Sequence, residues 1–195
     1  MATASSPAAN ILFWDAYSYE TEIFASSALE RALVELGDRH KCDAYEMRTG
    51  RSPRMVIWDI ALEIGRMRLL AFLCGHRFSG DELSPHRFVD ATSFTVDSAA
   101  LFDRAVHLGI APSLVQLLSG LRSLPLLNEK LIIRGHDAVA ILSIGLRHVL
   151  GAGPTMTHIE SVLRLSFDDS HLSDTTIYSE LREWERIRHP LSVLR

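Results

Sequence analysis

Residues 105–120 read AVHLGIAPSLVQLLSG, and in this stretch two apolar runs are separated by the tetrad Gly109-x-x-Pro112. A glycine directly after an apolar run is a common helix end, because glycine adopts the left-handed backbone without strain. A proline fits the first turn of the next helix, where its missing N–H has no intrahelical bond to lose. The stretch therefore predicts one helix that ends near Gly109 and a second that begins near Pro112.

The tetrad Gly-x-x-Pro occurs three times along the chain, beginning at Gly50, Gly109 and Gly151. Apolar residues follow each proline at the same offsets of two, five and nine positions, which places them on one face of a helix. These residues are Met55, Trp58 and Leu62, then Leu114, Leu117 and Leu121, then Met156, Ile159 and Leu163. The last two tetrads lie about 40 residues apart, a period typical of two- and three-helix repeats.

The segment 105–120 resembles the armadillo repeat, in which a first helix ends in glycine and a proline-started second helix carries a Leu-Val-x-Leu-Leu pattern. Residues 149–165 and 50–65 are less similar, and the tryptophan and asparagine ladder of peptide-binding armadillo grooves is missing. The resemblance implies a short armadillo- or HEAT-like helical stack over residues 97–188. The alternative is a non-repeat α-helical domain, in which the tetrad is an ordinary connection between helices.

Helical periodicity extends over most of the chain and predicts a mainly α protein. We expect a flexible leader at 1–10 and a single α-helical domain at 11–195, in which the apolar run 11–14 begins either a strand or a helix. The segments 38–50 and 75–95 lack this periodicity and are predicted to be loops, the first with a short strand at 44–47 and the second around a one-turn helix. The predicted helices cover 19–36, 53–74, 98–108, 113–121, 128–148, 154–165 and 175–188.

Composition excludes several classes of protein. Hydrophobic residues make up 47% and charged residues 23% of the chain, an ordinary globular balance. The net charge of −4 provides no overall basic field, so we expect neither nucleic acid nor a membrane as partner. Two cysteines cannot build a disulfide framework, and no basic stretch followed by an apolar run marks a signal peptide. These features predict an intracellular protein, cytoplasmic rather than secreted.

Two groups of polar residues are candidate partner contacts. On the predicted helix 128–148, Lys130, Arg134 and Asp137 follow at helical spacing and form a polar stripe opposite the apolar positions. Near the end of the chain, Arg182, Trp184 and Arg188 lie on a predicted helix of mixed charge. A tryptophan among arginines is typical of an interface anchor, although a buried tryptophan is the commoner arrangement.

Residues for catalysis are sparse in the sequence. No glycine-rich phosphate loop is present, and the histidines lack the close pairing that zinc sites use. We therefore expect neither a metal nor another cofactor. The alternative function is an all-helical metal-dependent hydrolase, whose ligands would be drawn from His76, His86, His136, Asp137 and Asp168.

Taken together, these patterns predict an interaction or scaffold module rather than an enzyme. A short stack of helices leaves its ends uncovered, so we expect a protein or peptide partner and also self-association into a homo-oligomer. Nucleic-acid binding is the third hypothesis, and only the local cluster Arg48, Arg51 and Arg54 favours it.

Overall fold

The structure is a computed structural model that describes residues 18–76, 82–151 and 153–187. Over these residues the chain is mainly α-helical, which confirms the predicted fold class. The predicted leader 1–10 and the apolar run 11–14 lie outside the described residues.

Residues 18–76 contain four α-helices: α1 (Tyr19–Ala25), α2 (Ala28–Leu36), α3 (Arg39–Thr49) and α4 (Pro53–Leu73). The prediction of one helix over 19–36 is wrong, because the chain breaks at Ser26 and Ser27. The Ser26 hydroxyl donates to the Ile23 carbonyl and accepts from the Ala28 N–H. Such local side-chain bonds offer the backbone an alternative to a continuous helix.

The helix α3 replaces the loop predicted at 38–50. Its start is fixed by the Asp38 carboxylate, which accepts a hydrogen bond from the Lys41 N–H, and its end by Gly50 at φ 67°. Only Tyr45 of this helix is buried. The apolar periodicity that predicts a helix is therefore absent, and the caps were the signal that the prediction missed.

The middle of the chain contains a 3₁₀ turn (Pro85–Arg87), the two-residue strands β1 (Val89–Asp90) and β2 (Thr95–Val96), and the helices α5 (Ser98–His107) and α6 (Leu114–Arg122). The strands pair antiparallel. Both helices agree with the predicted ranges 98–108 and 113–121 to within one residue at each end, and they are capped by Asp97 and Ser113.

The C-terminal part consists of α7 (Glu129–Ile132), α8 (Gly135–Gly145), a π-helical turn (Leu146–Leu150), α9 (Met156–Ser166), α10 (Asp169–Ser173) and α11 (Thr176–Ile187). The prediction of a continuous helix over 128–148 is wrong, since Ile133 and Arg134 are extended. The Ile133 carbonyl, left without a helical partner, accepts a hydrogen bond from the buried Thr21 hydroxyl at 3.1 Å. The contact with α1 therefore stabilises the break between α7 and α8.

Two glycines allow the backbones to meet at this break. A Cβ at Gly65 in α4 would lie 2.5 Å from the Ile132 carbonyl oxygen, and one at Gly135 would lie 2.9 Å from the Thr21 backbone nitrogen. Both distances are shorter than real Cβ contacts. The absence of a side chain therefore lets α4 and α1 pack closely on either side of the break.

The core brings distant parts of the sequence together. The helix α9 packs mainly against α2, while α8 lies against α1 and α4. In a solenoid each repeat contacts only its neighbours in sequence. Stacking of repeats is therefore not confirmed.

The three tetrads also differ in conformation. Gly50 and Gly109 have positive φ, whereas Gly151 has an extended backbone at φ −163°. The face predicted from the repeat is only partly internal: Leu117, Ile159 and Leu163 are buried, but Met55, Leu114 and Met156 are exposed.

Candidate interaction surface

The helix α6 carries apolar residues on more than one face. Its start is fixed by the Ser113 hydroxyl, which accepts a hydrogen bond from the Gln116 N–H. Leu117 is fully buried and attaches the helix to the core. Leu114 remains 50% exposed and Val115 77% exposed. Since α6 packs mainly against α4 and α5, its remaining face has apolar side chains in contact with solvent.

Two clefts adjoin this exposed face. The first has a volume of about 370 Å³ and lies between α4 and the far end of α6. The second, of about 510 Å³, lies between α5 and the beginning of α6. Phe102 lines both clefts, so they are adjacent. We call one residue of α5 and four residues of α6 the α6 surface: Phe102, Leu114, Val115, Leu118 and Leu121.

Charged side chains at the edge of the first cleft are held by other groups of the protein. Asp59 is paired with Arg51, and Glu63 accepts a hydrogen bond from the Ser98 hydroxyl at 2.5 Å. Arg66 donates to the Leu121 carbonyl at 3.3 Å. The arrangement is an apolar floor with a polar edge, which is typical of protein interfaces.

The sequence prediction missed the exposed part of this surface. It placed Leu114 on the core-facing side with Leu117, because both occupy repeated offsets after a proline. The available signal was Val115: two adjacent apolar residues at the start of a nine-residue helix cannot both face the same side.

The predicted stripe Lys130, Arg134 and Asp137 is divided by the break between α7 and α8. Lys130 forms an ion pair with Glu22 at 2.9 Å, and the Glu22 side chain is buried. Asp137 is buried as well, so its carboxylate is not on the surface as the stripe required. Arg134 precedes α8 and is half-buried. The correction follows from the broken helix, which turns Asp137 inward.

Asp137 instead forms an internal ion pair with α4. Arg68 Nε lies 2.9 Å from Asp137 Oδ2, and a second guanidinium nitrogen lies 3.2 Å from Oδ1. Burial raises the pKa of Asp137, and the positive charge of Arg68 partly offsets the rise. The pair therefore fixes α8 to α4.

The second predicted group lies on α11. Arg182 is exposed and pairs with Glu185 at 3.5 Å, while Trp184 is half-buried. Arg188 lies outside the described residues. The role of these three residues as partner contacts stays a prediction.

The alternative metal site is not assembled. Within residues 18–76, 82–151 and 153–187, no group of three or more histidine, cysteine, aspartate or glutamate side chains could hold a metal ion. His76, His86, His136, Asp137 and Asp168 all belong to this part of the chain and do not converge on one site.

The local arginine cluster is also largely neutralised. Arg51 pairs with Asp59, and Arg54 pairs with Glu30 at 2.9 Å. Arg48 lies over the Tyr45 ring, 5.7 Å from its centroid. Two of the three positive charges are thus compensated by carboxylates, which weakens the nucleic-acid hypothesis.

No helix in the described part of the chain has the length and apolar character that crossing a bilayer requires.

No known protein family, curated protein or solved structure matches this chain at a significant level. The resemblance of residues 105–120 to the armadillo repeat receives no support from these comparisons.

Proposed function

We propose that the protein is an interaction module that binds an α-helix of a protein or peptide partner on the α6 surface. The observation that carries the proposal is the exposure of Leu114, which lines the second of two adjoining clefts, and of its neighbour Val115. Exposure of apolar surface to water is unfavourable, so burial of this surface against a partner lowers the free energy of the complex. The internal ion pairs of Lys130 and Asp137 favour α6 over the predicted polar stripe as the binding surface.

The clefts favour an amphipathic helix as the ligand. Such a helix presents apolar side chains at positions i, i+3 or i+4 and i+7, which enter successive hollows of an apolar groove. Here the two clefts meet at Phe102 and offer consecutive hollows. Arg66 and Arg122 at the first cleft and Asp103 at the second provide a polar edge of both signs. The partner helix should therefore carry charges of both signs beside its apolar face.

A second copy of the chain is one partner with this chemistry, because α6 is itself an amphipathic helix with exposed apolar residues. Self-association through α6 would bury Val115 of both copies in a symmetric contact. We further propose that the module acts inside the cell, which the two unpaired cysteines, Cys42 and Cys74, favour.

Selection of helical peptides on the full chain tests the proposal. A display library of amphipathic helices is panned on the wild-type protein, and the recovered peptides are titrated by fluorescence anisotropy against two variants. Val115→Asp places a charge on the α6 surface, and we expect it to weaken binding by about tenfold or more. Val34→Asp is the matched control, since Val34 is 80% exposed on the nine-residue α2, and it should leave affinity within about twofold.

Light scattering after size exclusion tests whether the partner is a second copy of the chain. A mass above 21.8 kDa that returns to the monomer value in Val115→Asp would indicate self-association through α6. Peptides that bind Val115→Asp as tightly as the wild type would contradict the proposal. A library that yields no ligand, together with a monomeric mass, would contradict it equally.

A further inference from the structure

Three polar side chains outside the α6 surface form a connected hydrogen-bonded series. The Ser27 hydroxyl lies 3.2 Å from Nε2 of His171, and Nδ1 of the same ring lies 2.7 Å from Oδ1 of Asp168. Ser27 and His171 are 144 positions apart in sequence. They meet because α9 packs on α2 and the chain then continues directly into α10.

Nδ1 of His171 has two contacts that require opposite protonation states of this nitrogen. Nδ1 is also 3.3 Å from the Asp168 backbone N–H, which would need this nitrogen as an acceptor. The contact with the carboxylate is much shorter, and a carboxylate accepts hydrogen bonds strongly. The shorter contact favours the tautomer in which Nδ1 donates to Asp168, and in this tautomer Nε2 accepts the hydrogen bond from the Ser27 O–H. This is the arrangement of a nucleophile, a base and an orienting carboxylate.

Capping of α10 explains only part of the series. Asp168 caps that helix, and in the other tautomer of His171 Nδ1 would complete a capping box by accepting from the Asp168 N–H. Ser27 has no part in that cap, and it also forms no side-chain cap on α2, although it occupies the N-cap position there. Serine at this position ordinarily accepts a hydrogen bond from the helix. Here its hydroxyl contacts His171 instead.

The surroundings hold the base in place and leave the nucleophile accessible. His171 is only 6% exposed, and its ring stacks on Phe167 with a centroid separation of 5.5 Å. Arg31 donates to the other oxygen of Asp168 at 2.6 Å, which fixes the carboxylate. Ser27 itself is exposed at the start of α2. The Ala28 N–H at this helix start is already bonded to the Ser26 hydroxyl, so the positive partial charge of the helix start is what would favour a developing oxyanion.

We propose that Ser27 is an activated nucleophile that hydrolyses small carboxylic esters, with His171 as general base and Asp168 as positioning residue. The Ser27 oxygen adds to the ester carbonyl carbon while its proton passes to Nε2. The tetrahedral adduct then expels the alcohol, which takes the proton from Nε2, and an acyl-serine remains. A water molecule then gives a proton to Nε2 and adds to the acyl carbon. The second adduct expels the Ser27 oxygen, which takes the proton back from Nε2, and the carboxylic acid is released. The ester must have an unhindered carbonyl, because the buried base can be reached only close to Ser27.

Two measurements on the full chain test this inference. The first is hydrolysis of p-nitrophenyl acetate, and the second is covalent labelling by a fluorophosphonate, located by mass spectrometry of peptides. We expect the label on Ser27, and we expect Ser27→Ala to abolish labelling and reduce hydrolysis by about 100-fold. Ser161→Ala is the matched control: this serine lies exposed on α9 and bonds only to the Thr157 carbonyl, so both readouts should be unchanged.

Circular dichroism confirms that each variant is folded. Equal hydrolysis by the wild type and Ser27→Ala would overturn the inference, as would labelling of a different serine or of none. Because Ser27 and the α6 surface lie on different helices, failure here leaves the interaction proposal unaffected, and Val115→Asp should retain hydrolysis.

Discussion

Asp137 illustrates how one buried charge can join three segments of a chain. Its carboxylate is held by Arg68 of α4, and the same guanidinium donates to the Leu83 carbonyl at 2.8 Å. The ion pair thus connects α8, α4 and the segment that precedes the 3₁₀ turn. Sequence spacing placed Asp137 on an exposed stripe, because a long-range partner such as Arg68 leaves no local signal.

Removing this carboxylate should destabilise the protein strongly. In Asp137→Ala the Arg68 guanidinium stays largely buried and loses the carboxylate that compensates its charge, and we expect a loss of about 3 kcal/mol in the free energy of unfolding, measured in urea. Asp43→Ala is the control, since Asp43 forms an exposed ion pair with Arg39 at 3.9 Å. It should change stability by less than about 0.5 kcal/mol. A similar small change in Asp137→Ala would show that the buried pair is not formed.

Asp168 gives a pH-dependent prediction. Hydrogen bonds from Arg31 and then Ser170 hold the pKa of this carboxyl well below its usual value of 3.8. A carboxyl with a lowered pKa in the folded state stabilises the protein above the unfolded pKa and loses this contribution as pH falls below it. Asp168→Asn should therefore be less stable than the wild type near pH 7, and the difference should narrow near pH 3. Urea unfolding at both pH values checks this, and an unchanged difference would contradict it.

At the scale of single helices, α6 combines a buried anchor with an exposed face. Leu117 is fully buried between α6 and the helices beneath it. Leu117→Ala should cost about 2–5 kcal/mol through lost burial and the cavity it leaves. Equilibrium unfolding measures the loss, and Val115→Ala on the exposed face is the control, expected within about 0.5 kcal/mol. A loss below about 0.5 kcal/mol for Leu117→Ala would mean that the buried face of α6 has been misassigned.

Helices with strong apolar periodicity and clear caps were predictable from the sequence. The helices α4 and α5 follow this rule, since Pro53 begins one and Asp97 caps the other. The polar helix α3 was missed because its side chains show no apolar face. The breaks at Ser26 and Ile133 were missed because tertiary contacts, such as that of Thr21 with the Ile133 carbonyl, decide them.

The candidate sites were less predictable than the helices. The apolar pattern of residues 114–121 was visible, but its division between core and solvent depends on where α4 and α5 pack. The series of Ser27, His171 and Asp168 was not predicted, because Ser27 lies 144 positions before His171. Only Asp168 and His171 were close enough in sequence to be considered together.

At the scale of the whole molecule, the N-terminal helices α1 and α2 pack against the C-terminal helices α8 and α9. A mutation in α2 should therefore weaken the entire protein rather than its immediate neighbours. Leu29 is fully buried in α2, and Leu29→Ala should cost about 2–5 kcal/mol. Tryptophan fluorescence and amide exchange in α9 should report the same loss, since a single core unfolds cooperatively. Loss confined to α1 and α2 would instead fit an array of independent repeats.

Binding at the α6 surface is the central functional claim, and amide hydrogen exchange on the intact chain tests it most directly. Exchange is measured for the chain alone and for the chain with a helical peptide selected on it, at a peptide concentration that saturates the protein. We expect new protection in α5 and α6, with exchange in α2 and α11 unchanged. Protection centred on α11, or no protection in α6, would contradict the claim.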